Sequence, residues 1–114
     1  MLYPNQLATL GVQAPQDYTR LCELKWEGLE PWRWLTSERL TFRMVGFTVR
    51  YPGRKLVPFA ERQDCDDVAC WDINSPGMVI IIHDFADDGH ETRACFESFR
   101  IWLHQALDDC MDFI

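Results

Sequence analysis

Residues 56–84 constrain the fold more tightly than any other part of this 114-residue chain. They read LVPFAERQDCDDVACWD, then INSPG, then MVIIIHD. A short apolar segment, Leu56 to Ala60, passes into a polar loop carrying Glu61, Asp64, Asp66 and Asp67. Val68 to Trp71 follows, and after Pro76-Gly77 comes an unbroken apolar run from Met78 to Ile82. Runs rich in Val and Ile, bounded by turn residues, read as strands covered by protein on both faces. Two buried strands therefore present an acidic loop at their shared end. That loop is the expected functional surface, and nothing in it demands catalysis.

The flanking segments read as helices. The opening, Leu2 to Pro15, has little periodicity and is expected to drape over the core. Asp17 is placed to cap a helix running to about Glu27, with Tyr18, Leu21, Cys22 and Lys25 along one side and Gly28 as the left-handed stop. Leu29 to Leu35, with Pro31, Trp32 and Trp34, reads as an extended connection that plugs aromatic rings into the core. Thr36 or Ser37 caps a second helix to about Arg50, on which Leu40, Met44, Phe47 and Tyr51 form one apolar stripe. Arg39, Arg43 and Arg50 lie on another face that could bind phosphate or an acidic partner; the expectation is that they are solvated or paired with the protein's own carboxylates.

After Met78 to His83, the segment DFADDGHE reads as a loop and Thr92 to Phe96 as an edge strand. Ser98 caps a last helix with an apolar face of Phe99, Trp102, Leu103, Ala106, Cys110 and Met111. The order of elements predicts one α+β domain spanning residues 1–114. Its N-terminal helices and C-terminal helix pack on a mixed or antiparallel sheet.

Charge and cysteine content narrow the function. Residues 1–60 hold 8 Lys and Arg against 5 Asp and Glu, whereas residues 61–114 hold 3 Arg against 13 Asp and Glu. An acidic C-terminal half repels nucleic acid and anionic membranes and attracts basic partners. No stretch approaches the roughly 20 apolar residues of a membrane helix. The N-terminus lacks the pattern of a signal peptide. Five scattered cysteines suit reduced thiols rather than a disulfide framework. Together these predict a cytoplasmic protein that binds neither nucleic acid nor membrane.

Catalytic and metal chemistry find no template. His83, Asp84, Asp87, Asp88, His90 and Glu91 supply possible ligands within nine positions. Counted from Asp84, however, position 3 of a calcium loop is Ala86 and position 12 is Cys95, so the spacing fails. Cys65 and Cys70 are not spaced as a redox or zinc pair. No glycine-rich phosphate loop or nucleophile elbow is present. The expectation is a non-enzyme without cofactor or metal.

Leu56 to Phe113 resembles the SUKH superfamily, the domain shared by fungal cell-wall-synthesis regulators and many bacterial immunity proteins. The likeness rests on PFAERQDCDDVACWD, on VIIIHDF and on FESFRIWLHQAL; Leu29 to Trp32 and Arg54 to Pro58 also fit a bacterial branch. The resemblance implies a single α+β domain whose activity is binding. It also implies a cytoplasmic immunity protein that neutralises a cognate toxin, often a nuclease, by direct contact. The contact set expected on this reading is Glu61, Asp64, Asp66, Asp67, Trp71 and Asp72. A stand-alone adaptor or regulatory scaffold is the alternative, and a small metal-dependent enzyme using the His83 to Glu91 loop comes third.

Overall fold

The computed structural model describes residues 1–113. In chain order its elements are α1 (Pro4–Thr9), α2 (Gln16–Leu24), β1 (Trp32–Trp34), α3 (Ser37–Arg50), β2 (Leu56–Arg62), β3 (Asp67–Asp72), β4 (Val79–His83), β5 (Thr92–Phe96) and α4 (Phe99–Asp112). The five strands form one antiparallel sheet in the order β1-β2-β3-β4-β5, each paired with its sequence neighbour. The fold is therefore α+β, with helices on a meander sheet. Among the described residues no helix is long and apolar enough to cross a membrane.

Alternation along β2, β3 and β4 divides the core between the two faces of the sheet. Val57, Phe59, Ala69, Trp71, Val79 and Ile81 face one cluster, shared with Tyr18 of α2 and with Phe99, Trp102 and Ala106 of α4. Leu56, Val68, Cys70, Ile80 and Ile82 face the other, closed by Phe47 of α3 and by Tyr51. Burial on both faces explains why β3 and β4 read as continuous apolar runs. Pro58 sits where the β2–β3 register shifts, a position that tolerates the missing amide.

Several boundaries differ from expectation for local reasons. The opening segment contains α1 and seats Leu2, Leu7 and Val12 in the core. Pro15, not Asp17, occupies the cap position of α2, and Asp17 instead pairs with Arg100 of α4. That helix ends at Lys25 in the left-handed conformation (φ 51°), three residues before Gly28. Thr36 and Ser98 do cap α3 and α4, accepting from the amides of Arg39 and Ile101. Met111, expected on the buried face of α4, is exposed. The most consequential difference is β2, which continues through Glu61 to Arg62 and so draws Glu61 out of the loop and into the sheet.

Candidate protein-binding surface

The helical spacing of Arg39, Arg43 and Arg50 turns three guanidinium groups toward two carboxylates of the sheet. Glu61, fully buried on β2, accepts from Arg39 Nε (3.0 Å) and Arg43 Nε (2.9 Å), and Arg33 of β1 adds a third pairing at 3.0 Å. Asp84, buried just past β4, accepts from Arg43 Nη1 at 2.7 Å and from Arg50 Nε and Nη2, each at 2.8 Å. Arg43 thus bridges both acids. Buried carboxylates survive only with such partners. Burial pushes the Glu61 carboxyl up, but hydrogen bonds from Arg39 and Arg43 outweigh it and hold the group below the usual carboxylate range.

Gly46 makes this geometry possible. A side chain there would collide with the Arg50 guanidinium, which lies back along the helix. A glycine inside a helix costs about 1 kcal/mol relative to alanine. Here it opens the path by which Arg50 reaches Asp84.

The network also fixes the surface above it. Phe85 has φ 65°, a left-handed conformation that bulky side chains rarely adopt. Its amide donates to Asp84 Oδ1 at 2.9 Å, and Arg50 stacks over its ring at 4.1 Å from the centroid. The ring is nevertheless 57% exposed. Farther along, the Tyr51 hydroxyl donates to the Ala86 carbonyl (3.2 Å) and the Asp84 amide to the Asp66 carbonyl (2.9 Å). The β4–β5 loop, the β2–β3 turn and α3 therefore form one connected surface.

Phe42, Val45 and Val49 follow one another at i, i+3 and i+7 on the outward side of α3 and are exposed. Arg39 stacks over Phe42 at 4.5 Å. An exposed apolar stripe on the outward side of a helix, opposite the face it packs on the sheet, is a candidate interaction surface.

Around this stripe the charges without a partner are acidic, although Arg33, Arg39, Arg43 and Arg50 share only two carboxylates, Glu61 and Asp84. Every arginine is engaged in an ion pair among the described residues, leaving Lys25 and Lys55 as the unpaired basic side chains besides His90 and His104. Asp66, Asp87 and Asp88 are exposed and unpaired at the sheet end beside Phe85, as is Glu38 in the first turn of α3. The result is an apolar strip with Arg39 and Arg43 over Phe42 at one end, Glu38 in the same helix, and further unpaired acids at the sheet end.

The expected contact residues divide. Asp66 lies on this surface. Asp64 is exposed but gripped at both oxygens by Arg62 (2.8 and 2.9 Å). Three others need correction as surface contacts. Glu61 serves the buried network; Asp67 is buried against His83 (2.8 Å) and Arg93 (3.0 Å); Trp71 is buried between α2 and the sheet. Asp72 lies at the far end of β3 and receives the Asn74 amide at 2.9 Å in the hairpin turn. Phe42, Val45, Val49 and Phe85 were not anticipated. The one sequence signal for the first three is a second apolar set on α3, offset from the Leu40 stripe, and Phe85 in the β4–β5 loop has none.

The ligand-rich stretch from His83 to Glu91 is pulled apart by its own contacts. Asp84 goes to the arginines, His83 to Asp67, and Glu91 to the Gly89 amide (3.2 Å) and Arg54 (3.8 Å). Among the described residues no three His, Cys, Asp or Glu side chains converge as a metal-ligand set. Cys70 is buried, which pushes its thiol well above the ordinary value. Comparison with known proteins finds no matching family model, no matching curated protein and no matching solved structure. The likeness to the SUKH superfamily therefore rests on the quoted motifs alone.

Proposed function

We propose that this protein is a non-catalytic, cytoplasmic binding domain of the immunity type, which neutralises a basic toxin by direct contact. The observation that carries the reading is Phe85, a bulky aromatic held exposed in a strained left-handed conformation by Arg50 and Asp84. Strain of this kind persists where surrounding structure enforces it, and it concentrates at functional sites. Exposed, preorganised aromatic rings are the anchors from which a few residues supply most of an interface's energy. Phe42, Val45 and Val49 extend the apolar contact, while Asp66, Asp87, Asp88 and Glu38 select a basic partner and steer its approach. The same acidity disfavours nucleic acid as the ligand. A nuclease toxin, which must attract phosphate, has the required charge. The likeness to SUKH immunity proteins supports the same reading.

The test is co-expression with the product of the neighbouring gene, which the proposal requires to be a toxin, followed by capture of the complex. Wild-type protein protects the host and captures the toxin. Val49→Asp, which inserts a charge at the most exposed position of the α3 stripe, abolishes capture without unfolding the domain. The triple variant Asp66→Asn, Asp87→Asn, Asp88→Asn slows association and flattens its salt dependence. Undiminished capture by Val49→Asp removes this surface from the proposal. Failure of wild type to bind the neighbouring gene product removes the immunity function.

A further inference from the structure

A second site lies at the other end of β3. There the α1–α2 connector and the β3–β4 turn enclose a cleft of about 450 Å³, within the range of small-molecule sites. Val12, Ala14, Pro15, Ile73 and Pro76 give it apolar walls, and Trp71 lines it as well. The indole Nε1–H of Trp71 is the one buried side-chain polar atom among the described residues without a hydrogen-bond partner. By contrast, Trp32 donates to Asp109 and Trp34 to the Trp26 carbonyl. A buried donor left unpaired costs about 1–3 kcal/mol, so each such atom in a native fold calls for an acceptor.

The start of α2 has the same requirement. Its cap residue, Pro15, offers no side-chain acceptor to the first-turn amides, and Gln16 of that turn lines the cleft. Both polar features seek an oxygen acceptor. No cationic side chain lines the cleft, whereas Asp72 does, so a carboxylate or phosphate is disfavoured. We infer that this cleft binds a neutral, apolar small molecule through a carbonyl oxygen that accepts from Trp71. In one of its two walls the Gly11 and Val12 amides are tied to the Ala8 and Leu7 carbonyls, so admitting the acceptor requires Gln13 to Pro15, which lie outside helix and strand, to move aside.

The site is independent of the α3 surface, and its test needs no protein partner. In the full ¹⁵N-labelled chain, the Trp71 indole resonance is assigned as the one missing from Trp71→Phe. Phenylacetamide is expected to move that resonance downfield in a saturable titration. Phenylacetate, with the same ring and a charged acceptor, is expected to bind at least ten-fold more weakly. Ala14→Leu fills the cleft and abolishes the amide titration, while unmoved resonances of the other tryptophans report an intact fold. A Trp71 resonance indifferent to phenylacetamide, or an Ala14→Leu variant that titrates like wild type, overturns the site. Equal binding of phenylacetate overturns the neutral-ligand assignment.

Discussion

On the α2 and α4 side of the sheet, Tyr18, Trp34, Phe59, Trp71, Phe99 and Trp102 interlock with ring centroids 4.3 to 6.4 Å apart. On the α3 side a smaller cluster of aliphatic side chains, closed by Phe47 and Tyr51, adjoins the ion network of Arg43, Arg50, Glu61 and Asp84. Ring packing is rich in buried area, and its hydrophobic contribution is non-directional. A buried ion network contributes little net stability, because desolvation cancels most of the attraction, yet it fixes geometry closely. The ring side accordingly holds the fold. The ion side sets where α3 and the β4–β5 loop stand, and with them Phe42 and Phe85.

The contrast breaks first at Trp102, which is 1% exposed and packs against Trp32, Phe59 and Phe99. Trp102→Ala is expected to cost about 3–5 kcal/mol, the range for deleting a large buried aromatic. Urea unfolding measures it as a lower midpoint at unchanged slope. A loss below about 1 kcal/mol would place the true core elsewhere, since that is the scale of surface substitutions.

On the ion side, Glu61→Leu removes the carboxylate shared by Arg33, Arg39 and Arg43. Stranding a buried charge costs about 3–5 kcal/mol, and the low end applies because Arg43 keeps Asp84. The double variant Glu61→Leu, Arg43→Met should recover much of that loss, because apolar packing often replaces a buried pair at little cost. If the double variant is instead less stable than the single one, the network is a net source of stability and the contrast fails.

Acid sharpens the same difference. The Glu61 carboxyl stands below its ordinary value of 4.5 in the folded state, since its arginine partners outweigh the opposing effect of burial. The unfolded chain therefore binds this proton at higher pH than the folded one. Its contribution is complete above pH 4.5 and is lost as pH falls through the lower folded value. Wild type should lose stability on acidification more steeply than Glu61→Leu, measured by urea midpoints across that window. Parallel curves would show that Glu61 does not couple folding to protons.

What the sequence revealed follows the range of the interactions. β3 and β4 were legible because burial on both faces writes continuous Val and Ile runs, and Thr36 and Ser98 because capping is local. Glu61 was misplaced because its neutralising arginines lie on α3 and β1, 18 to 28 residues away. By composition it belonged with Asp64 and Asp66; by pairing it belongs in the sheet. Asp67 was lost to the surface for the same reason, through His83 and Arg93. Phe85 was hidden by its setting, since an aromatic in an acidic loop reveals neither its φ nor the guanidinium beneath it. Gly46 gave no sequence signal of its own, since only the Arg50 guanidinium beside it explains a glycine there.

The smallest expected effect on stability falls at Phe85, and it separates the two sides most cleanly. A non-glycine residue in the left-handed region carries about 1–2 kcal/mol of strain, which Phe85→Gly relieves. The substitution also forfeits the stacking of Arg50, about 0.5–1 kcal/mol at an exposed site, and adds freedom to the unfolded chain. These contributions oppose one another, so Phe85→Gly should unfold within about 1 kcal/mol of wild type. The same change removes the exposed ring and should weaken capture of the basic partner by at least ten-fold, because hot-spot aromatics carry 2 kcal/mol or more, by the usual definition. Ring for ring, Phe99, buried on the other side of the sheet, behaves oppositely: Phe99→Ala destabilises strongly and touches no exposed surface. A Phe85→Gly protein that is markedly less stable yet binds normally would make Phe85 part of the core's support. The strained conformation would then belong to folding rather than to recognition.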